Sequence, residues 1–155
     1  MMINWIDKMF KHAFEKEWYS TYWAFDVHGT ILYPNFRKNH FHATFYPYAK
    51  EALQLISERE DIIMIMYTSS YPAERLYYDK VFKYFDINFK YINENPEINS
   101  TKGNFGHYVD KFYFNALFED KAGFDPETEW EQILHLMKTY KDTNYLPNPI
   151  WETKF

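Results

Sequence analysis

Tyr22-Trp-Ala-Phe-Asp-Val-His-Gly-Thr-Ile-Leu32 carries an apolar run onto an aspartate, Asp26, with Gly29 and Thr30 close behind it. Tyr22, Trp23 and Phe25 favour extended backbone, so the run predicts a buried strand ending at Asp26. An ionised carboxylate is expensive to bury unpaired, and a strand that ends on one therefore sets it at a rim, where a metal or hydrogen-bond donors can reach it. In open α/β sheets that rim, beyond the carboxyl ends of the strands, is where ligands bind. The competing local reading makes Asp26 a turn or cap residue, because Asp ahead of Gly is common at turns.

On the amino-terminal side, residues 1–18 place Met2, Ile6, Met9, Phe10, Ala13 and Phe14 at helical spacing with charged residues between them, which predicts an amphipathic helix. Its polar face mixes acids and bases, unlike the Lys- and Arg-rich face of a membrane-surface helix, and packing on its own domain or on a second subunit is expected. On the carboxyl side, residues 31–46 are long for a βα loop, and Tyr33-Pro34-Asn35 with Phe41–Tyr46 as return arm predicts a small hairpin. A helix from Tyr46-Pro47 to about Glu58 follows, with Pro47 near its first turn. The uninterrupted apolar run Ile62–Tyr67 then reads as a central parallel strand buried on both faces.

That second strand ends in Thr68-Ser69-Ser70 before a helix opens at Pro72-Ala73-Glu74, which sets hydroxyl donors and a helix amino terminus at the same rim as Asp26. Taken alone, such a cluster is usually an N-cap. The helix runs to about Tyr84, a weaker strand is expected over Ile87–Ile92, and residues 93–106 are turn chemistry with little room for a helix. Phe112–Phe118 reads as a fourth strand running into Glu119-Asp120, with Asp125 beyond. A last helix is expected from Pro126 to Tyr140, Asp125 being also its candidate cap, and residues 142–155 read as a wrapping tail.

Alternating strands and helices in 155 residues predict one α/β domain, residues 1–155, built on a mainly parallel sheet. A net charge of −5 gives no basic footprint, so bulk nucleic-acid binding is not expected. The absence of cysteine rules out disulfides, thiolate metal sites and cysteine nucleophiles. No apolar stretch reaches the roughly 20 residues of a spanning helix, and a cytoplasmic protein without membrane partners is expected. Aromatic residues make up 23% of the chain but are spread along it rather than interleaved with basic residues, which favours core filling over stacking platforms.

Asp26-Val27-His28-Gly29-Thr30 resembles the first motif of the haloacid dehalogenase superfamily, D-x-D-G-T in most phosphatases of that group, with His28 in place of the second aspartate. The exit at Thr68 and Ser69 resembles the second motif, which binds the transferring phosphoryl group. Lys102 is placed as the lysine of the third, with Lys111 and Lys90 as substitutes, and Glu119-Asp120 with Asp125 resembles the acidic fourth motif. The resemblance implies a three-layer Rossmann-like fold with helices on both faces, a central first strand, a hairpin flap over residues 31–46 and no large cap.

It further implies a Mg²⁺-dependent phosphatase in which Asp26 is the nucleophile and passes through an aspartyl-phosphate. The metal would be held by Asp26, the backbone carbonyl of His28 and Asp120 or Glu119, while Thr68 and Lys102 would bind the non-bridging oxygens. His28 would stand where the family keeps its general acid and base, and an imidazole is available in both forms near neutral pH. The substrate would be a phosphorylated small molecule or macromolecule, enclosed in part by a homo-oligomer partner in the former case. The variation at His28 leaves a second expectation open: a catalytically weak or inactive protein of this fold that binds a phosphorylated ligand or a protein partner. A transition-metal site on His28, His40 and His42 is a third, although histidines on a flap are more often solvated.

Overall fold

A computed structural model of the chain describes residues 4–34, 43–98, 108 and 110–142. Within them, helix α1 (Asn4–Glu15) precedes strand β1 (Thr21–Phe25), α2 (Ala49–Ser57), β2 (Ile62–Met66), α3 (Pro72–Tyr84), β3 (Tyr91–Ile92), β4 (Ala116–Phe118), a short 3₁₀ turn (Asp120–Ala122) and α4 (Glu129–Asp142). The four strands form one parallel sheet in the order β3-β2-β1-β4, with β1 interior as expected. The architecture is thus α/β and Rossmann-like. Because every pairing is parallel, all four carboxyl ends open on one edge.

Pairing continues one residue past β1, β2 and β3 at that edge. Asp26 N donates to Phe118 O at 2.9 Å, Tyr67 N to Phe25 O at 2.7 Å, and Asn93 N to Met66 O at 2.8 Å. The sheet therefore fixes the backbone of the residues that begin those exit loops.

Side chains alternate along a strand, so Trp23 and Phe25 share one face with their register partners Met64, Met66, Ala116 and Phe118. The helices gather there. Trp5 and Phe10 of α1 meet Phe118 and Trp23, Trp130 of α4 stacks on Phe25 and Phe118, and Phe82 of α3 reaches Phe25 through Phe89. Helix α2 packs along α4 and hydrogen bonds through Ser57 to Met64. The opposite face carries Tyr22 and Tyr91. It is covered by the connection from β3 to β4: Tyr22 packs edge-on against Tyr113, and Glu97 accepts hydrogen bonds from the hydroxyls of Tyr22 and Tyr91 and pairs with Lys90 at 2.7 Å.

Two strands are shorter than the sequence predicts, each for a local reason. Ile87 and Phe89 are buried but unpaired with β2, because Ile87 N bonds back to Phe82 O and Asp86 N to Lys83 O, with Asp86 left-handed at φ 60°. This is a Schellman stop to α3, and Phe82 and Ile87, the positions whose apolar contact usually accompanies it, are both buried in the core. At β4, the Asn115 side chain accepts from Tyr22 N at 2.7 Å, taking the place of a strand carbonyl, and residues 112–114 leave the sheet.

Helices α2 and α4 also begin three residues later than expected. Tyr48 caps α2 in a left-handed conformation at φ 69°, so Pro47 lies outside the helix. Ahead of α4, Asp125 accepts from Glu127 N at 3.0 Å and the Thr128 hydroxyl at 2.9 Å, while the Glu129 carboxylate accepts from Asp125 N. Where the hairpin is expected, Tyr33 N donates to Thr44 O and Tyr46 N to Ile31 O. Its tip, residues 35–42 with His40 and His42, lies outside the described residues, as does the expected tail beyond residue 142.

Candidate active site at the carboxyl edge of the sheet

Asp26, Glu119 and Asp120 converge just beyond β1 and β4, so that one carboxylate oxygen of each lies within 4.8 Å of the others. Two hydrogen-bonded elements hold them there. Asp26 follows β1 directly and is paired to β4 through its amide. Glu119 caps the 3₁₀ turn by accepting from Lys121 N at 3.0 Å, and the chain leaves that turn at Gly123, whose φ of 109° suits glycine.

Thr30 ties the trio together. Its hydroxyl, fully buried, lies 3.2 Å from Asp26 Oδ2 and 3.4 Å from Asp120 Oδ1, and it accepts from Asp120 N at 3.1 Å. Its carbonyl accepts from Trp130 Nε1 at 2.7 Å. The loop that carries Thr30 is closed on Val27 O by the amides of Thr30, Ile31 and Leu32. Gly29 adopts φ 80°, and a Cβ there would stand 3.0 Å from Asp120 Oδ2, so both the turn and the approach of Asp120 call for glycine.

Burial, the largest influence, pushes the Asp26 carboxyl up, and the hydrogen bonds from the Thr30 hydroxyl and the Val27 amide pull it down. The neighbouring charges of Glu119 and Asp120 push it up again, to a pKa of about 6. Three carboxylates this close repel one another, and a hard divalent cation with oxygen ligands is the chemistry that relieves them.

The trio lies in a cleft of about 880 Å³. His28, Thr68, Ser69, Asn93 and Lys121 line it as well. The His28 imidazole packs edge-on against Tyr78 at 5.1 Å, with Nε2 3.9 Å from a carboxylate oxygen of Glu74 in the first turn of α3. The Thr68 hydroxyl accepts from Ser70 N at 3.1 Å, which closes a turn ahead of α3 and does not cap it, because the N-cap is Tyr71 and makes no side-chain cap bond. Thr68 backbone is clamped by Asn93, whose side chain accepts from Thr68 N at 2.8 Å and donates to Thr68 O at 2.7 Å.

Of the other sequence candidates, Asp125 ties the turn of residues 126–128 ahead of α4 and is not part of the acidic group. Lys90 is paired with Glu97 on the face of Tyr22 and Tyr91, Lys111 is exposed and absent from the cleft lining, and Lys102 lies outside the described residues. Glu74, Asn93 and Lys121 had no part in the sequence expectations. Glu74 read only as a helix-opening residue and Asn93 only as turn chemistry. Lys121 follows Asp120 directly, but nothing in its sequence context marks it as a cleft cation.

No protein-family model matches the chain, and no curated protein does. Among solved structures, the fold is similar to that of a conserved protein from Bacteroides thetaiotaomicron, with 18% identity, a TM-score of 0.57, and coverage of 81% of this chain and 98% of that one. At that identity the likeness concerns the fold alone.

Proposed function

We propose that the protein is a Mg²⁺-dependent phosphohydrolase of the haloacid dehalogenase type, with Asp26 as nucleophile. The observation that carries this reading is the convergence of Asp26, Glu119 and Asp120 at the carboxyl edge of a parallel sheet, bridged by Thr30. Their all-oxygen donor set fits Mg²⁺, which takes one or two carboxylates and keeps several waters and substrate phosphate oxygens. When bound, the ion supplies charge neutralisation for the phosphoryl oxygens and for the crowded acids.

The residues of the chain do the rest. Asp26 attacks phosphorus in line with the leaving oxygen, forming an aspartyl O–P bond as the ester P–O bond breaks. The leaving oxygen takes a proton from His28, and His28 then accepts one from the water that cleaves the aspartyl-phosphate, returning inorganic phosphate and the free carboxylate. Glu74 beside Nε2 and Tyr78 against the ring hold the imidazole in the cleft. Thr68 and Ser69, which line the cleft at the exit of β2, contact the non-bridging oxygens in this reading.

The contacts of His28 with α3 favour a second reading, in which the imidazole serves packing and the cleft binds a phosphorylated ligand without turnover. One measurement separates the two: hydrolysis of an aryl phosphate with and without Mg²⁺ by the wild type and by Asp26→Asn. Mg²⁺-dependent turnover lost in Asp26→Asn supports the phosphohydrolase. Equal rates in both proteins sink it, and Mg²⁺-dependent phosphate binding without turnover supports the second reading.

A further inference from the structure

Resting on the phosphohydrolase reading, we infer that the substrate is a small phosphomonoester of a planar-ring leaving group that carries no further negative charge. Two independent features of the cleft point to it, one apolar and one electrostatic.

The apolar feature lies at the cleft wall. Tyr67, the residue directly after β2, is 41% exposed and packs against Phe112 at 5.9 Å between ring centroids, and Tyr71 at the start of α3 is 78% exposed. All three line the cleft that holds the carboxylates. Large aromatic side chains left open to solvent beside a polar centre are stacking surfaces for a ring, and a volume near 880 Å³ accommodates a nucleoside-sized ligand. Strand pairing places the Tyr67 backbone firmly, through Tyr67 N to Phe25 O, so the platform is built into the sheet edge rather than hung on a loose loop.

The electrostatic feature is the sign of the same cleft. Among the described residues its lining has five carboxylates, Asp26, Glu74, Asp110, Glu119 and Asp120, against one ammonium, Lys121. That leaves four negative charges, or two once a divalent cation is present. A cleft lined by one sign of charge concentrates such a field and lowers the local concentration of polyanions. A second phosphate or carboxylate on the substrate would meet it, whereas a neutral ring would not.

The test is steady-state hydrolysis with Mg²⁺ of phenyl phosphate, a nucleoside monophosphate, glycerol phosphate and a nucleoside bisphosphate. Expected is a kcat/KM for the first two about tenfold or more above that for glycerol phosphate, the scale of one ring stacked on an aromatic side chain, and a similar deficit for the bisphosphate. Phenyl phosphate against the nucleotide distinguishes a bare aryl group from a base as the preferred ring. In Tyr67→Leu and Phe112→Leu the ratio of aryl to glycerol ester should fall toward one, through KM, and Asp110→Asn should narrow the deficit of the bisphosphate. Glycerol phosphate turned over as well as the ring esters, or a ratio indifferent to both leucine variants, overturns the inference while leaving a phosphohydrolase in place. Absence of Mg²⁺-dependent hydrolysis of every ester overturns the underlying reading as well. The wild-type comparison decides by itself should a variant fail to fold.

Discussion

At residue scale the site turns on Thr30, whose single hydroxyl is shared by two carboxylates and an amide. One proton serves one acid at a time, so Asp26 and Asp120 are never both fully compensated without a cation. Thr30→Val keeps the shape and removes the hydroxyl, leaving Asp120 N without that acceptor. We expect a loss of about 1–3 kcal/mol in urea or thermal unfolding, with a larger proportional loss of kcat, because the two acids lose their common tether. Asp26 itself is predicted to work against stability in the metal-free protein. Its folded carboxyl, raised to about 6 mainly by burial, holds a proton that the unfolded chain releases near 3.8, so stability falls as pH rises through that window and is lowest above it. Asp26→Asn, isosteric and neutral, should therefore unfold at a higher temperature than the wild type at pH 7.5 without metal. The gain is about 1 kcal/mol once solvent screening of this half-buried group is allowed for, and it should vanish below about pH 4. A gain that persists in acid would place its origin elsewhere than in the carboxylate charge.

At the scale of elements, the strands β1 and β2 were legible because their runs are uninterrupted and buried: Thr21–Phe25 and Ile62–Met66 lie where the apolar residues fall. The flanks of β3 and β4 were misread for the same physical reason. Ile87, Phe89, Phe112 and Phe114 are as apolar as strand residues, but hydrophobicity reports burial and not pairing. The competing bonds, Ile87 N to Phe82 O and Tyr22 N to the Asn115 side chain, leave no mark in a periodicity. Asp125 shows the same ambiguity in a polar residue, since an acid just past a strand suits either a metal or a helix cap, and here its oxygens serve backbone and hydroxyl donors. The convergence of Asp26 with Glu119 and Asp120 was legible, because each stands at a strand exit. The link from α4 to the site was not: Trp130, on the apolar face of that helix, donates to Thr30 O across 100 residues of sequence. Trp130→Phe preserves an aromatic stack on Phe25 and Phe118 but strands a buried carbonyl and opens space. We expect about 2–4 kcal/mol of destabilisation and, at a temperature where the variant is fully folded, a drop in kcat. An unchanged kcat would show that α4 supports the fold without aligning the acidic loop.

At the scale of the whole molecule the two edges of the sheet treat their acids differently. At the amino edge the buried Asp61 is matched by Arg59 through two bonds of 2.8 Å, and its carbonyl accepts the amide of Thr21, so the charge there is compensated within the chain. At the carboxyl edge Asp26, Glu119 and Asp120 crowd together with Lys121 as the cation of the cleft lining among the described residues. A parallel sheet brings every exit loop to one edge, and this one collects acids faster than it collects bases there. With Lys121 the one base of the lining among the described residues, a cation from solution that binds the folded form and not the unfolded chain would recover the cost. Mg²⁺ at 100 times its dissociation constant should therefore raise stability by about 2.7 kcal/mol. In a protein of this length that is a rise in Tm of about 5–10 °C. The control is NaCl at matched ionic strength, which screens the acids without coordinating them and should give a much smaller shift. Asp120→Asn should unfold somewhat later than the wild type without metal, having one fewer repelling charge, and should lose most of the response to Mg²⁺. If Mg²⁺ and matched NaCl shift the wild type equally, the acidic edge is a screened surface and not a metal centre, and the phosphohydrolase loses the ion on which it depends.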